Sequence, residues 1–551
     1  MKENKIKIGL AFSGGGFRAT SFSLGVLSFL NSIKLSDQSL LTRVVALSTI
    51  SGGTITGTRY AIGIKKNESF EEIYSSLYKF MSQIDLIDLS LSELISKNEW
   101  SSKGINSLIS AFADVYDKEL FNQEKFGILL TDNNPIHLKH ISFNATEFAN
   151  ALQFRFQRTE KIRNPKENEP DRGIIGNYYY RIPENIAKNI RMADILAASS
   201  CFPGGFEPIN FPDDFSLPQS KENEDVFRNN NFPVGLMDGG IVDNQGIEPL
   251  LLTEDRMKRN RADSSDNDSN ELDLLIISDV TSPYMEDFKA SKKQKKSFLR
   301  TLSPQIIFIA NSILLLCSLV GLFFSIKNGL LLSIIILSSL STLNILLFII
   351  ATVIKKMPEK FQIPQAFMKP FTKLLKIKLG VYENLILNRT NSLLKMTNDV
   401  FLKHIRRLNY NKIYTDKSWK NRRIMNAIYE LRFGEQKLQN KIKNQKINKS
   451  LIPSKALQEV ATVAASMGTT LWFTKDELNK KNMLNSIIAC GQFTMCWNLL
   501  EYIGKIKSNP ENINESHNEL IKSESIVLLY WEKFNKDPYW QVNEINNKTN
   551  F

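Results

Sequence analysis

The sequence predicts an α/β protein, in which a sheet layered by helices is followed by a two-helix transmembrane hairpin and a mostly helical C-terminal part. Over the first 280 residues, short β-rich runs alternate with helical patterns, which favours βα units and a mostly parallel sheet. Two long uncharged apolar runs follow at 306–326 and 330–354. Beyond them the pattern is helical, at 382–407, 419–444 and 456–504.

The sheet rests on four strand candidates, at 6–12, 44–47, 141–143 and 272–278. Each is a short run rich in β-branched and other apolar residues, and small or polar residues follow it. The intervening helical patterns identify these runs as members of βα units.

The two apolar runs predict a membrane anchor. Each exceeds the ~20 residues that a helix needs to cross ~30 Å of hydrocarbon. Only Lys327, Asn328 and Gly329 separate them, so the two helices must be antiparallel. A pair of buried core helices is the alternative, but core helices of this length normally show a polar stripe. A transmembrane hairpin is therefore the prediction.

Basic residues flank the hairpin on both sides. They are Lys289, Lys292, Lys293, Lys295, Lys296 and Arg300 before it, and Lys355, Lys356 and Lys360 after it. The positive-inside rule puts both flanks in the cytoplasm and the short turn outside. We expect an integral membrane protein with all its remaining residues on the cytoplasmic side. The Lys/Asn/Ile-rich composition suggests an AT-rich genome and so a bacterial inner membrane.

The composition excludes two broad classes. With 42% hydrophobic and 23% charged residues, the chain can bury a core, which excludes global disorder. Four cysteines in 551 residues cannot form a disulfide scaffold, and they favour a reducing compartment. The formal net charge of +13 is compatible with nucleic acid, a membrane surface or solubility alone.

The first candidate motif is residues 14–18 (GGGFR), between a predicted strand and a helical run. Glycines at such a turn leave the N–H groups of Gly14, Gly15 and Gly16 open at a helix N-terminus, where negative charge is favoured. The turn suits a phosphate or the oxyanion of acyl transfer. The phosphate alternative lacks the Gly-Lys-Ser/Thr of a P-loop, and Ala19 stands where a dinucleotide fingerprint needs its last glycine.

The second motif is residues 48–54 (STISGGT), between an apolar strand and a helix. A serine at a sharp strand–turn–helix junction is typical of a nucleophile elbow, and small neighbours such as Gly52 and Gly53 relieve the strained turn. Thr49 replaces the first glycine of the usual G-x-S-x-G pattern. The alternative is that Ser51 is simply a helix N-cap.

The third motif is residues 235–246 (GLMDGGIVDNQG), which places Asp238 before two glycines. Such a sequence is often only a turn. A serine nucleophile needs a base, however, and none of the four histidines lies in a motif-like setting: they are His137, His140, His404 and His517. A Ser-Asp dyad therefore fits these residues better than a Ser-His-Asp triad.

Taken together and in this order, the three motifs resemble those of the patatin-like phospholipase family. GGGFR is similar to the family's oxyanion-hole motif, STISGGT to its nucleophile elbow, and DGG with Asn244 to its aspartate motif. Residues 143–146 (FNAT) and 197–204 (AASSCFPG) are similar to two further family segments. The resemblance covers residues 5 to about 280 and resumes near 456–491, so that the hairpin would interrupt the catalytic domain.

The resemblance implies a patatin-like layered sheet and a role for each matching residue. Ser51 would be the nucleophile and Asp238 the general base. The oxyanion would be held at Gly14, Gly15 and Gly16, with Arg18 nearby. The elbow and the aspartate motif would be supported by Gly52, Gly53, Gly239, Gly240 and Asn244. Thr49 and Ala19 depart from the family pattern, which bears on rate and geometry more than on mechanism.

The expected function is a serine lipid acyl hydrolase that cleaves fatty-acyl esters of membrane phospholipids or lysophospholipids. No metal or cofactor is implied, because the sequence offers no cluster with metal-ligand spacing. The alternatives are hydrolysis or transfer of another ester or thioester, a catalytically silent membrane-bound scaffold, and nucleic-acid binding.

Four regions follow from these observations: a patatin-like catalytic domain at 1–288, the hairpin with its basic flanks at 289–360, a basic helical juxtamembrane segment at 361–450, and a helical region at 451–551. The last region would help to complete the catalytic fold.

The positive charge is concentrated at 355–450. This stretch holds 23 Lys and Arg against 6 Asp and Glu, a net charge of +17, which leaves the rest of the chain at −4. Next to a membrane, each such cation can add ~1 kcal/mol of attraction to anionic lipid. A solvated helical face is the alternative. We expect the segment to bind anionic headgroups and expect no nucleic-acid partner, while protein partners stay unknown.

Overall fold

The computed structural model describes ten stretches of the chain: residues 5–35, 38–96, 107–160, 173–218, 220–262, 271–282, 297–360, 376–444, 446–508 and 515–549. The chain divides into two compact units. The first, termed here the sheet unit, comprises Met1–Tyr284 and Leu402–Phe551. The second, termed the hairpin unit, is Met285–Phe401.

The sheet unit contains a mixed eight-stranded sheet and a separate two-stranded ribbon. The strands are β1 (Ile8–Phe12), β2 (Lys34–Leu35), β3 (Gln38–Ser39), β4 (Val44–Ile50), β5 (His140–Glu147), β6 (Leu152–Arg158), β7 (Ile209–Phe211), β8 (Val234–Asp238), β9 (Leu274–Asp279) and β10 (Arg423–Ala427). The large sheet has the order β10-β9-β1-β4-β5-β8-β7, and β6 also pairs with β5. The first five of these strands are parallel, whereas β6, β7 and β8 pair antiparallel.

Helices surround this sheet. Before the hairpin they are α1 (Gly16–Ser32), α2 (Gly52–Lys65), α3 (Phe70–Gln83), α4 (Leu86–Ser96), α5 (Leu108–Tyr116), α6 (Gly127–Leu130), α7 (Glu184–Ala187), α8 (Met192–Ser200), α9 (Lys221–Asn229), α10 (Gly240–Asp243) and α11 (Ile247–Ala262). The hairpin unit contains α12 (Phe298–Thr301), α13 (Pro304–Lys327), α14 (Leu331–Lys360) and α15 (Leu379–Lys395). The remaining helices are α16 (Leu402–Thr415), α17 (Gln436–Lys443), α18 (Lys455–Ser466), α19 (Lys475–Asn479), α20 (Met483–Lys507), α21 (Asn518–Lys522), α22 (Glu524–Lys536) and α23 (Trp540–Lys548).

Apolar side chains cover both faces of the sheet, which explains the continuous apolar character of the central strands. Leu10 and Phe12 of β1 belong to the larger of two buried clusters, and Ala11 between them belongs to the smaller one. Helix α20 packs closely on α1: an added Cβ on Gly25 of α1 would lie 2.1 Å from the carbonyl oxygen of Ile488. The C-terminal helices are thus part of the same core as β1.

The hairpin unit contains two helices that are long and apolar enough to span a membrane. Pro304–Lys327 and Leu331–Ile349 meet the length and composition of a span, and only 11% of the apolar window of each is buried. The predicted limits, 306–326 and 330–354, are close to these, although α14 continues to Lys360. Of the basic residues that precede the hairpin, the five lysines between 289 and 296 lie outside the described residues.

The α/β fold class is confirmed, but the prediction of a helical segment at 361–450 is wrong at one place. Residues 423–427 (RIMNA) form β10, which pairs in parallel with β9 from Arg423↔Leu275 to Ala427↔Asp279. Five residues within a Lys- and Asn-rich stretch carry little local strand signal. Pairing with a distant, fully buried strand overrides that local propensity.

Candidate active site

The loops that follow β1 and β4 meet at one edge of the sheet. The two strands are parallel, with Phe12 opposite Thr49, so each enters its loop within two residues of that pair. The loop after β1 begins the glycine turn at Gly14, and the loop after β4 is the turn at Ser51. The sheet register therefore brings the first two predicted motifs together.

Strand β5 brings the third motif to the same point. One edge of β5 pairs with β6 from Ile141 to Glu147, so β4 and β8 must share its other edge. On that edge β4 ends with Ile50 opposite Asn144, and β8 ends with Asp238 opposite Ala145. Because Asn144 and Ala145 are adjacent, the end of β8 lies beside the turn that begins at Ser51.

Ser51 occupies a strained turn. Its backbone has φ 49° and ψ −120°, a conformation that L-residues with a Cβ rarely adopt, and only 6% of the residue is exposed. Glycine follows because the chain passes close by: an added Cβ on Gly52 would lie 2.0 Å from the carbonyl oxygen of Gly16. At Gly53 it would lie 2.7 Å from the carbonyl oxygen of Ser13. Ser51 makes no side-chain cap bond to helix α2, which disfavours the N-cap interpretation.

Ser199 holds this turn in place. Its Oγ accepts the Ser51 N–H at 3.0 Å and donates to the carbonyl oxygen of Asn144 at 2.7 Å. The Thr54 hydroxyl lies 2.9 Å from the same Oγ. Ser199 is fully buried on helix α8, so these bonds are shielded from water and fix the Ser51 backbone relative to β5.

Asp238 is buried beside Ser51. Burial disfavours its charged form and raises the pKa of this carboxyl to about 6. Hydrogen bonds from the Gly240 N–H, at 2.7 Å to Oδ1, and from the Ser51 side chain act in the opposite direction. The Ser51 hydroxyl thus contacts a carboxylate whose affinity for a proton is higher than usual.

The glycine turn presents two free donors. The Gly14 N–H is already donated to the carbonyl oxygen of Asn244 at 3.0 Å, so it is not available to an oxyanion. Within the part of the chain that the structure describes, the N–H groups of Gly15 and Gly16 have no acceptor. Both glycines have positive φ, 143° and 57°, and helix α1 starts at Gly16. Two N–H groups at a helix N-terminus suit a developing negative charge.

The guanidinium of Arg18 is already hydrogen-bonded and is not free to bind an anion at this turn. Its Nη1 donates to the carbonyl oxygen of Met467 at 2.5 Å. Burial lowers the pKa of its guanidinium to about 10, and the charge of Asp279 acts against that shift. The next N–H along, that of Phe17, donates to the carbonyl oxygen of Thr470 at 2.7 Å. The segment between α18 and α19 therefore fixes the start of α1.

The aspartate motif is tied to the glycine turn through Asn244. The main-chain carbonyl oxygen of Asn244 accepts a hydrogen bond from the Gly14 N–H, and the side-chain Nδ2 of Asn244 donates to Thr281 Oγ1 at 2.8 Å. An added Cβ on Gly240 would lie 2.6 Å from Asn244 Oδ1, and the Gly239 N–H donates to the carbonyl oxygen of Ser199 at 3.3 Å. All three predicted support residues of this motif lie within the site.

The two departures from the family pattern are accommodated by local packing. Thr49 is fully buried, and its Cγ2 lies 2.5 Å from the position that a Cβ on Gly57 would occupy. The absence of a side chain at Gly57, on helix α2, thus leaves room for the threonine. Ala19 is buried within the first turn of α1, where its N–H donates to the carbonyl oxygen of Gly15 at 3.3 Å.

Two residues that position the site, Ser199 and Thr470, could not be identified from the sequence. Ser199 lies in the stretch that resembles a family segment, but nothing there distinguishes it from Ser200. Thr470 lies far along the chain, in a stretch without a chemical motif. Among the described residues, no group of three or more His, Cys, Asp or Glu side chains is placed to hold a metal ion.

Residues 10–251 match the family model described as patatin-like phospholipase. The chain therefore contains a patatin-like phospholipase domain, which is a lipid ester hydrolase domain. The resemblance drawn from the three motifs is thus confirmed at the level of the family.

One of the solved structures to which the chain is distantly similar is human GIVD cytosolic phospholipase A2 in complex with a methyl gamma-linolenyl fluorophosphonate inhibitor and terbium chloride. It shares 18% identity and has a TM-score of 0.25, a likeness that does not bear on the site. The match covers 50% of this chain and 40% of the human one. No curated protein matches the chain.

Proposed function

We propose that this protein is a membrane-anchored serine lipid acyl hydrolase that uses a Ser51–Asp238 dyad. The observation that carries the proposal is the contact between the Ser51 side chain, in a strained turn, and the buried Asp238 carboxylate. Serine at its free pKa is a weak nucleophile and needs such a base. The proposal takes 1–288 as the catalytic domain, completed by helices of 451–551.

The reaction would proceed in two stages through an acyl-enzyme. Ser51 Oγ attacks the ester carbonyl carbon as its proton passes to Asp238, and the negative charge on the former carbonyl oxygen is held by the N–H groups of Gly15 and Gly16. The bond to the alcohol then breaks, and the alcohol leaves with the proton from Asp238. In the second stage, water gives a proton to Asp238 and attacks the acyl carbon. The bond between the acyl carbon and Ser51 Oγ then breaks as Asp238 returns that proton to Ser51 Oγ, which releases the fatty acid and regenerates both side chains.

The substrate class follows from the anchor. Basic flanks on both sides of the hairpin favour a cytoplasmic sheet unit. The protein would then act on glycerophospholipid or lysophospholipid esters of the cytoplasmic leaflet, without a metal. Release of fatty acid only when Ca²⁺ is supplied would contradict the metal-free mechanism.

The decisive experiment is labelling of the full chain with a fluorophosphonate probe, which forms a covalent bond with an activated serine. We expect wild type to be labelled and Ser51→Ala not to be labelled. Ser28→Ala is the matched control, because Ser28 is buried on α1 and bonds only within its own helix, to the carbonyl oxygen of Leu24. Equal labelling of wild type and Ser51→Ala would remove Ser51 as nucleophile.

The second candidate is hydrolysis or transfer of another acyl ester or thioester by the same dyad. It predicts the same labelling, with turnover of a neutral glyceride or an acyl thioester but not of a phospholipid. A catalytically silent scaffold predicts no Ser51-dependent labelling at all. Nucleic-acid binding predicts a salt-sensitive complex with DNA that does not depend on lipid.

A further inference from the structure

The C-terminal part of the sheet unit contains a cavity of about 770 Å³ that is open to solvent on one side. It lies beside β10, the edge strand of the sheet, and is lined by residues of β10, α17 and α20 among others. Its volume is within the ~300–1,000 Å³ that is usual for small-ligand sites. None of its lining residues belongs to the three motifs of the candidate active site.

Basic side chains dominate the polar wall of this cavity. Six cations line it: Lys420, Arg423, Lys437, Lys441, Lys446 and Lys505. Five of them come from the basic stretch 355–450, so part of the charge that the sequence assigned to a membrane surface lines a cavity instead.

The four carboxylates of the lining already have partners. Glu501 pairs with Lys441 at 2.5 Å, and Glu524 pairs with Lys507 at 2.6 Å. Glu430 accepts from Asn498 Nδ2 at 2.7 Å. Glu435 lies 3.5 Å from Arg432. Glu430 also interacts with the charges of Lys437 and Lys441. The lining therefore carries six cations against four carboxylates.

Cations outnumber carboxylates in this lining by two. Within the described part of the chain, no carboxylate oxygen lies within 4.0 Å of Lys420, Lys437 or Lys446. The cavity thus holds an excess of positive charge in a concave, partly desolvated space, where an anion is attracted more strongly than at an open surface.

Three of these cations form a like-charge group. Burial lowers the pKa of Lys505, and the nearby charges of Arg423 and Lys420 lower it further. Neutral groups hold the cations: Lys505 Nζ donates to the carbonyl oxygen of Lys420 at 2.7 Å, and Arg423 lies over the Tyr414 ring at 4.2 Å. Mutual repulsion within such a group is relieved when an anion with several oxygens binds between its members.

An apolar wall completes the cavity. Leu438, Leu451 and Leu528 line it, together with the buried indole of Trp497. The Trp497 N–H donates to the carbonyl oxygen of Leu451 at 3.1 Å, which fixes the ring. A ligand with an anionic group and a less polar body would therefore find complementary surfaces here.

We propose that this cavity binds a phosphate-bearing ligand, whose phosphate oxygens are held by Lys420, Arg423 and Lys505. A doubly charged phosphate offers more acceptor oxygens than a carboxylate, and the Arg423 guanidinium suits it. The phosphate belongs either to a soluble organic phosphate or to an anionic lipid headgroup. The site does not depend on the proposed dyad, since it shares no residue with it.

The test uses the full chain in neutral detergent, with Ser51→Ala as background so that lipid probes are not hydrolysed. One arm adds glycerol 3-phosphate, and the other adds dihexanoyl phosphatidic acid below its micellar concentration, with dihexanoyl phosphatidylcholine as the zwitterionic comparison. Binding is measured by calorimetry, and folding is checked by the thermal unfolding midpoint without ligand. Binding of either anionic probe identifies the source of the phosphate.

The triple variant Lys420→Gln/Arg423→Gln/Lys505→Gln should bind at least about tenfold more weakly, since charge-assisted hydrogen bonds are lost. The charge-matched control is Lys455→Gln/Lys480→Gln/Lys548→Gln, which alters three exposed lysines outside the cavity and should bind as the background does. If the triple variant does not fold, the variant Lys437→Gln/Lys446→Gln is tested instead. It removes two other cations of the same cavity and should lower the affinity for the anionic probe by a smaller factor. Equal binding by the cavity variants and the control, or no binding of either anionic probe, would overturn the proposal.

Discussion

The sheet unit and the hairpin unit place the same kinds of side chain in opposite positions. In the sheet unit, Phe12 and Phe143 are fully buried. In the hairpin unit, Leu316 and Phe323 are each 65% exposed, while Ser318 and Ser341 are buried and their hydroxyls lie 2.9 Å apart. A fold that hides serine and exposes leucine suits hydrocarbon, because small polar residues then supply the contacts between helices. If the hairpin unit spans a membrane as proposed, the functions of the two units should be separable by mutation.

The largest expected effect lies in the sheet unit. Asp238→Asn should reduce kcat by about 10²–10⁴-fold, because the general base is lost, while membrane association stays unchanged. The measurement is fatty-acid release from a monomeric short-chain ester, alongside the fraction of protein that sediments with membranes. Asp225→Asn, at an exposed position on α9, is the control. If Asp238→Asn also released the protein from membranes, the separation of the two units would fail.

The reciprocal change lies in the hairpin unit. Leu316→Lys puts a charge on the exposed face of α13, at a cost of ~2.5–3.5 kcal/mol near the centre of a spanning helix. We expect more of the protein to be extracted by alkaline carbonate, with hydrolysis of the short-chain ester in detergent unaffected. Leu316→Ile is the matched control. Resistance to extraction equal to that of wild type would argue against a membrane-spanning α13.

Much of the sheet unit could be predicted because its signals are local. The sequence predicts a turn directly where a strand is followed by glycines, as at 8–16, or by serine and glycines, as at 44–53. The pairing of Asp238 with Ser51 is expected from the family resemblance and not from a local pattern, because their proximity depends on β4 and β8 sharing one edge of β5. Strand β10 was missed for the same reason: its partner β9 lies more than 140 residues away in the sequence. Pairings between distant segments leave no periodic trace.

The pH dependence sharpens the catalytic side of the comparison. Because burial raises the pKa of Asp238 to about 6, activity should fall about tenfold per pH unit below that value, as the base becomes protonated. Because the pKa of this carboxyl is higher in the folded state than in the unfolded state, the folded state binds more protons between about pH 6 and pH 4, and Asp238 adds stability as the pH falls through 6. The contribution of Asp238 should therefore raise the thermal unfolding midpoint of wild type relative to Asp238→Asn over this range, while kcat drops.

Asp243 provides the control for this profile. Burial also raises its pKa to about 6, but its carboxylate accepts N–H groups of Gln245, Gly246 and Glu248 and does not contact Ser51. Asp243→Asn should keep the acidic limb of the rate profile at the same pH. If Asp243→Asn shifted the pH at which the rate falls, the titrating group would be Asp243 and not the proposed base Asp238.

The smallest expected effect concerns the basic flank of the hairpin unit. Replacing Lys369, Lys373, Lys376 and Lys378 by Gln removes four cations from the part of the basic juxtamembrane segment that follows the second apolar helix. The first two of these lysines lie outside the described residues. Each of the four should contribute at most ~1 kcal/mol of attraction to anionic lipid, and salt should screen it. We expect weaker activity on vesicles that contain phosphatidylglycerol, with activity on pure phosphatidylcholine vesicles unchanged. Lys455, Lys475, Lys480 and Lys548 supply a control of equal charge outside the basic stretch 355–450, the hairpin unit and the cavity. If the two sets of substitutions acted alike, the effect would come from net charge alone and not from the basic segment next to the spanning helices.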